Sequence, residues 1–276
     1  MSLLNIKAKG TAIAQILRLS EVNLQISLYY LGRSIITVTV ALLRIIMRLL
    51  PFSVLGQVLA AGYRTSLPEF VTVGLAFSAA LNDSLISPLR SWRQKGIFEN
   101  HMVSKLGVRG VLLSHLVLSC IRGEVLFATI LIMGNLISPE FSLKTLPYLM
   151  LMVPSISMTG FGIMLMSAGY HLRTQRIVPV PLYLRFLTWA FGEVFFPLDK
   201  ISPILSRLGW FVPTIFLIRR LRFVYSGTPI LAEILSKIAQ TYLLGVLFLV
   251  LGFLVINGGL EEARSKGTTT RIFLGV

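Results

Sequence analysis

Residues 238–256 read IAQTYLLGVLFLVLGFLVI, without a single charged side chain. Wound as an α-helix, this run is about 28 Å long, close to the roughly 30 Å of a bilayer's hydrocarbon core. It decides the fold class, because a stretch this long and this apolar reads as a membrane crossing rather than a buried core helix. Lys237 stands at its start, and Glu261, Glu262, Arg264 and Lys266 come after its end.

The rest of the chain agrees. It has 276 residues, of which 55% are hydrophobic and 13% charged, and the mean hydropathy is +0.80. A soluble domain carries roughly 25% charged residues, so a water-soluble fold is excluded on composition. The net charge of +15 does not point to nucleic acid, because no soluble basic domain with interleaved aromatics is present to use it. Lys and Arg placed beside apolar runs serve instead to fix orientation and to meet anionic headgroups. The single cysteine, Cys120, lies in an apolar run, where it packs as a small hydrophobe.

Working back from residue 238, the spacing predicts about six crossings in an all-α polytopic protein. The first lies between Ser34 and Ala61 and carries Arg44 and Arg48, four apart and therefore on one helix face. The second runs from about Phe70 to Pro88, with Asp83 near its inner end and Gly74, Ser78, Ala79 and Ala80 offering close helix contact. A third, Val111 to Ile137, holds Arg122 and Glu124, and a fourth spans Leu146 to Tyr170. Between the second and third lies the most polar internal stretch, with Arg90, Arg93, Lys95, Glu99, Lys105 and Arg109. Its basic excess, and that of His171, Arg173 and Arg176 after the fourth run, mark both as cytoplasmic.

The fifth run, Leu182 to Phe196, is short for a crossing. The stretch from Pro197 to Tyr225 is apolar but broken by Pro203, Gly209 and Pro213 and ended by Arg219, Arg220 and Arg222. That pattern suggests a re-entrant pair of short helices, tolerated where protein or a water-filled cavity satisfies the freed backbone. Residues 1–33 read as an amphipathic helix lying in the interface, with Ile13, Ile16, Leu17, Leu24 and Leu28 opposite Gln15, Arg18, Asn23 and Gln25. The expected organisation is thus an interfacial helix over 1–33, a six-helix membrane domain over 34–257 and a cytoplasmic tail over 258–276, with both termini inside.

Two stretches then carry a family resemblance. Arg93-Gln94-Lys95-Gly96-Ile97-Phe98-Glu99 comes after the second crossing, and Gly192-Glu193-Val194-Phe195-Phe196-Pro197 closes the fifth, ahead of Pro213-Thr214 and Arg220. In order, spacing and membrane side these resemble the permeases of type-2 ABC exporters. The first resembles the opening of the family's cytoplasmic coupling helix, although the family usually has Thr and Leu where this chain has Ile97 and Asn100. The second resembles the small residue, paired aromatics and proline that precede the family's re-entrant hairpin.

The resemblance implies a function. Arg93, Lys95, Gly96, Phe98, Glu99 and Lys105 would couple to separate nucleotide-binding ATPase subunits, and Gly192, Phe195, Phe196, Pro197, Pro213 and Arg220 would build the hairpin. The chain would bind no cofactor itself, since the phosphate-cradling G-x-x-x-x-G-K-[ST] pattern is absent. ATP and Mg would belong to the partner. A second permease protomer would complete the pathway, in a prokaryotic cell (inner) membrane.

Other readings compete. The charges Arg44, Arg48, Asp83, Arg122 and Glu124 within apolar runs either line a pathway or pair internally. Together with a discontinuous fifth segment they would also suit an ion-coupled secondary transporter or channel. A membrane-embedded enzyme would need a G-x-S-x-G elbow or an H-E-x-x-H pair, and neither occurs. His101, His115 and His171 lack ligand spacing, so no metal site is expected. Tyr63, Tyr148, Trp189, Trp210 and Tyr225 read as interfacial anchors.

Overall fold

A computed structural model describes residues 67–92, 107–137, 145–174, 180–191, 213–225 and 231–266, with Val194, Ile204, Arg207 and Val212 between them. The described residues form six helices and no strand: α1 (Leu67–Trp92), α2 (Gly107–Ile137), α3 (Leu146–Thr174), α4 (Val180–Phe191), α5 (Pro213–Tyr225) and α6 (Leu231–Ser265). Proline sets four of the starts. Pro68, Pro147, Pro181 and Pro213 each stand in a first helical turn, where the missing N–H has no partner to lose and the fixed φ already suits a helix.

Three stretches are long and apolar enough to cross a membrane, Gly110–Gly134, Leu146–Thr174 and Leu231–Ala263, and Phe70–Leu85 forms a shorter apolar helix. The helices run further than the apolar pattern alone suggests. Sequence places the last run at residues 238–256, whereas α6 extends from Leu231 to Ser265. Its ends continue because they are packed: Ile234 and Ile238 are buried at one end, Leu260 and Ala263 at the other. The tail expected from residue 258 therefore begins as helix. The first crossing and the interfacial helix fall on residues 1–66, outside the described residues.

Helix directions can be read from glycine contacts. A Cβ on Gly123 would stand 3.7 Å from that of Ala80, and one on Gly134 would strike Thr72. α1 and α2 are therefore antiparallel. α3 and α6 run the same way: Gly245 faces Ser155, Gly252 faces Gly162 and Gly259 faces Gly169. Two parallel membrane helices need a net crossing between them, and that requirement falls on residues 175–230.

The seam between α3 and α6 repeats every seven residues on both helices, the period that keeps one stripe turned toward a partner. A Cβ at Gly252 would stand 2.5 Å from Gly162 O, and one at Gly169 would stand 2.5 Å from Val255 O. Backbone occupies the place of a side chain. Small residues let membrane helices gain van der Waals contact where lipid supplies no hydrophobic drive between them.

α3 is the central member. It has 72% of its most apolar stretch buried inside the protein, against 28% for each of α2 and α6. Two of its buried hydroxyls bond back along their own helix, Ser155 Oγ to Met152 O at 2.7 Å and Thr159 Oγ1 to Ser155 O at 2.9 Å, so these two groups are satisfied within the helix. Pro154 interrupts α3 and removes the donor to the Met150 carbonyl. Beside that gap, Tyr242 Oη of α6 donates to Leu151 O at 2.9 Å.

Two apolar layers result. At one end Leu112 and Leu116 of α2 pack with Leu165, Ala168 and Leu172 of α3 and with Ile256 and Leu260 of α6. Arg173 Nε and Glu262 Oε2 form an ion pair there at 2.7 Å, and Lys266 Nζ meets Glu262 Oε1 at 2.7 Å. Trp92, Gly107, Thr174 and Ser265 mark this basic end. The other layer joins Val71, Phe77, Leu131, Leu149, Leu221 and Ile234 toward the far end. Tyr225 is part of it at 7% exposure, so it packs in the core rather than anchoring in a belt. Tyr148 packs partly buried against the same cluster.

Candidate functional site

Polar residues of four helices meet in the middle of the bundle. α2 carries Cys120, Arg122 and Glu124 near its midpoint, where Gly123 lets α1 and α3 come close: its Cβ would stand 3.0 Å from Ser157 Oγ and 3.6 Å from Val153 Cγ1. Asp83 of α1 lies within electrostatic reach of the Arg122 guanidinium. Glu124 acts in turn on Cys120 and on Tyr242 of α6. Asn82 Nδ2 donates to Ser78 Oγ at 3.0 Å.

Sequence alone places Asp83 near the inner end of its crossing. In the structure α1 continues more than two turns beyond it, to Trp92. With Ala80 set against Gly123, Asp83 lies about level with the centre of α2. Burial is the larger influence on the Asp83 carboxylate and the Arg122 charge the smaller, opposing one. Among the described residues no three His, Cys, Asp or Glu side chains converge as a metal site would need.

A second concentration of polar contacts lies at the far end, around the broken segment. α4 has 12 residues and α5 has 13, or about 18 and 20 Å of helix, too short to cross alone. Thr188 Oγ1 of α4 bonds Thr214 Oγ1 of α5 at 2.9 Å. Further along, Arg222 Nη2 of α5 donates to Val194 O at 3.4 Å. Both contacts ascend in number, so α5 runs alongside α4 in the same direction.

Arg222 holds the junction. Its guanidinium lies 3.3 Å from the centroid of the Phe70 ring and Nη2 also donates to Phe70 O at 3.4 Å. Val194 is 1% exposed, and its carbonyl sits where a Cβ on Gly74 would be. A backbone carbonyl outside helix at this depth needs a donor, and Arg222 supplies one. Nη2 alone serves both carbonyls, while the flat guanidinium lies on the ring.

The expected site residues divide by where they fall. Arg93, Lys95, Gly96, Phe98, Glu99 and Lys105 lie outside the described residues, but the ends that flank them, Trp92 and Gly107, stand at the basic end with Thr174 and Ser265. Gly192, Phe195, Phe196, Pro197, Arg44 and Arg48 also lie outside them. Pro213 opens α5, and Arg220 stacks 4.8 Å from the Phe216 centroid. Asp83 lies within reach of Arg122, whereas Glu124, two residues further along α2 and so on another side of the helix, neighbours Cys120 and Tyr242.

Sequence reasoning left two features unassigned. Arg222 shares a face with buried Ile218 and Tyr225, at i−4 and i+3, and that apolar face was the signal that its guanidinium turns inward. The heptad of small residues on α3 and α6 was legible as spacing, but only the parallel pairing gives it meaning. No family model matches the chain, and no curated protein or solved structure matches it either.

Proposed function

We propose that the chain is the membrane-spanning permease subunit of a type-2 ABC exporter, which forms a substrate pathway between two protomers and draws work from separate nucleotide-binding subunits. The observation that carries this reading is that α1 ends at Trp92 and the antiparallel α2 begins at Gly107 at the basic end of the bundle. A motor that binds there acts on two membrane helices at once. The broken α4–α5 segment at the opposite end supports the same reading, because the family it resembles carries a re-entrant hairpin on that side.

In this reading ATP binding closes the partner subunits, the segment around Gly96 and Glu99 is pushed, and the attached helices rearrange the path. Hydrolysis, ATP and Mg stay in the partner, and the chain itself is not an enzyme. The setting is a prokaryotic cell membrane with both termini cytoplasmic. An ion-coupled secondary transporter is the second reading, favoured by the ionisable Asp83, Arg122 and Glu124 carried mid-way along α1 and α2.

One experiment separates them. The tagged chain, isolated gently from its own membrane, should bring an ATPase with it, and transport in the resulting vesicles should stop when ATP is withdrawn. Transport that survives ATP depletion and collapses with an ion gradient would establish the second reading instead.

A further inference from the structure

Basic residues at the basic end obey the usual bias toward the cytoplasm. A second cationic group does not. Arg219, Arg220 and Arg222 fall within four residues of α5, near the far end, and Lys237 stands beside them on α6. Arg222 turns inward onto Phe70 and Val194. Arg220 and Lys237 remain half-exposed on the outside of the bundle, so neither orientation nor internal packing accounts for them.

Both are held on aromatic faces. Arg220 Cζ lies 4.8 Å from the centroid of Phe216, and Lys237 Nζ lies 5.1 Å from that of Phe223. Phe216 and Phe223 are seven apart on α5, so the four side chains form one strip along the α5–α6 boundary. A guanidinium or ammonium over a ring gives its face to the aromatic and keeps its remaining donors outward. Lys237 is six residues into α6, about 9 Å from its start, near the depth where headgroups meet acyl chains.

The surface beyond the strip is apolar. Leu244 and Leu251 succeed Lys237 at intervals of seven on α6, and Leu251 is 39% exposed. A cationic end with an apolar track leading toward the bilayer centre has the form of an amphiphile's counterpart. Glu233, one turn before Lys237, is the opposing charge and weakens the strip's field.

We propose that Arg220 and Lys237, on their Phe216 and Phe223 platforms, form a docking site for the phosphate headgroup of an anionic phospholipid, whose acyl chain lies along Leu244 and Leu251. This does not rest on the transport reading, since an ion-driven carrier would present the same strip.

The test uses the full chain purified in detergent and titrated with phosphatidylglycerol or phosphatidylcholine, with bound lipid read by native mass spectrometry. Preference for phosphatidylglycerol should weaken about fivefold for each cation removed in Arg220→Gln and Lys237→Gln, and Glu233→Gln should strengthen it. Each variant is checked for unchanged elution and melting temperature, and the three are independent should one fail to fold. Equal preference in the wild-type protein and in the folded cation variants overturns the proposal. So does displacement of the lipid by millimolar inorganic phosphate, which would identify a site for a free anion.

Discussion

Where α3 meets α6, backbone lies against backbone; where α4 meets α5, side chains do the holding. The first contact is set by Gly245, Gly252 and Gly259 against Ser155, Gly162 and Gly169. The second depends on the Thr188–Thr214 hydroxyl pair and on one guanidinium spanning Phe70 and Val194. A glycine seam has no rotamers to change and resists any shift in spacing. A side-chain latch can let go. The contrast separates a fixed axis through the bundle from a segment that can reorganise, and substitutions at four positions test it.

The largest effect is expected at the seam. Gly252→Leu would drive a side chain into the α3 backbone near Gly162 O, with a cost at the top of the roughly 1–3 kcal/mol range for overpacking, or beyond it. Fluorescence-detected size exclusion should show loss of the folded, monodisperse peak. A stable Gly252→Leu protein would mean that the two helices are not locked.

Next comes the latch. Arg222→Met removes a partly buried cation–π contact and two carbonyl hydrogen bonds, costing about 2 kcal/mol. It should lower the melting temperature while leaving the protein folded, and hydrogen exchange should rise across residues 192–212 but not along α6. Arg222→Lys should recover only part of the loss, because an ammonium has no flat face to stack on the Phe70 ring. Exchange that rises equally in α6 would erase the distinction between the two regions.

Thr214→Val is milder. Hydrogen bonds between membrane helices contribute about 0.6 kcal/mol on average, so a melting shift clearly smaller than that of Arg222→Met is expected. The smallest change should come from Glu262→Gln, since its partners Arg173 and Lys266 are 69% and 50% exposed and solvated ion pairs contribute little. A measurable loss of melting temperature there would show that the basic end is drier than its exposure suggests.

The membrane-helical class was legible because hydropathy reports directly on the solvent each run must face. Residues 238–256 alone carry that inference, and the broken character of the segment after Leu182 was visible in Pro203, Gly209 and Pro213. Helix ends were less legible, because Leu231–Ile234 and Leu260–Ser265 flank the uncharged run and are held by packing at Ile234, Leu260 and Ala263. Asp83 shows the same limit at mid-bundle: its depth depends on the Gly123–Ala80 register, which no single helix encodes. Arg220 and Arg222 are two residues apart, yet one faces outward over Phe216 and the other lies against Val194. Charge type announced a cluster, and helical phase divided its roles.

α6 has 35 residues, which makes a rod about 52 Å long. A slab of hydrocarbon about 30 Å thick cannot swallow it, even leaning at the roughly 20° usual for such rods. Some of it must emerge into water. Because Leu260 and Ala263 are still buried in the layer that includes Leu172 of α3, and Arg173 still clasps Glu262, the two emerge together as a short double stalk. The stalk stands at the end of the bundle where α1 finishes and α2 begins, so a body that seats itself at that end has a rigid post to lean against.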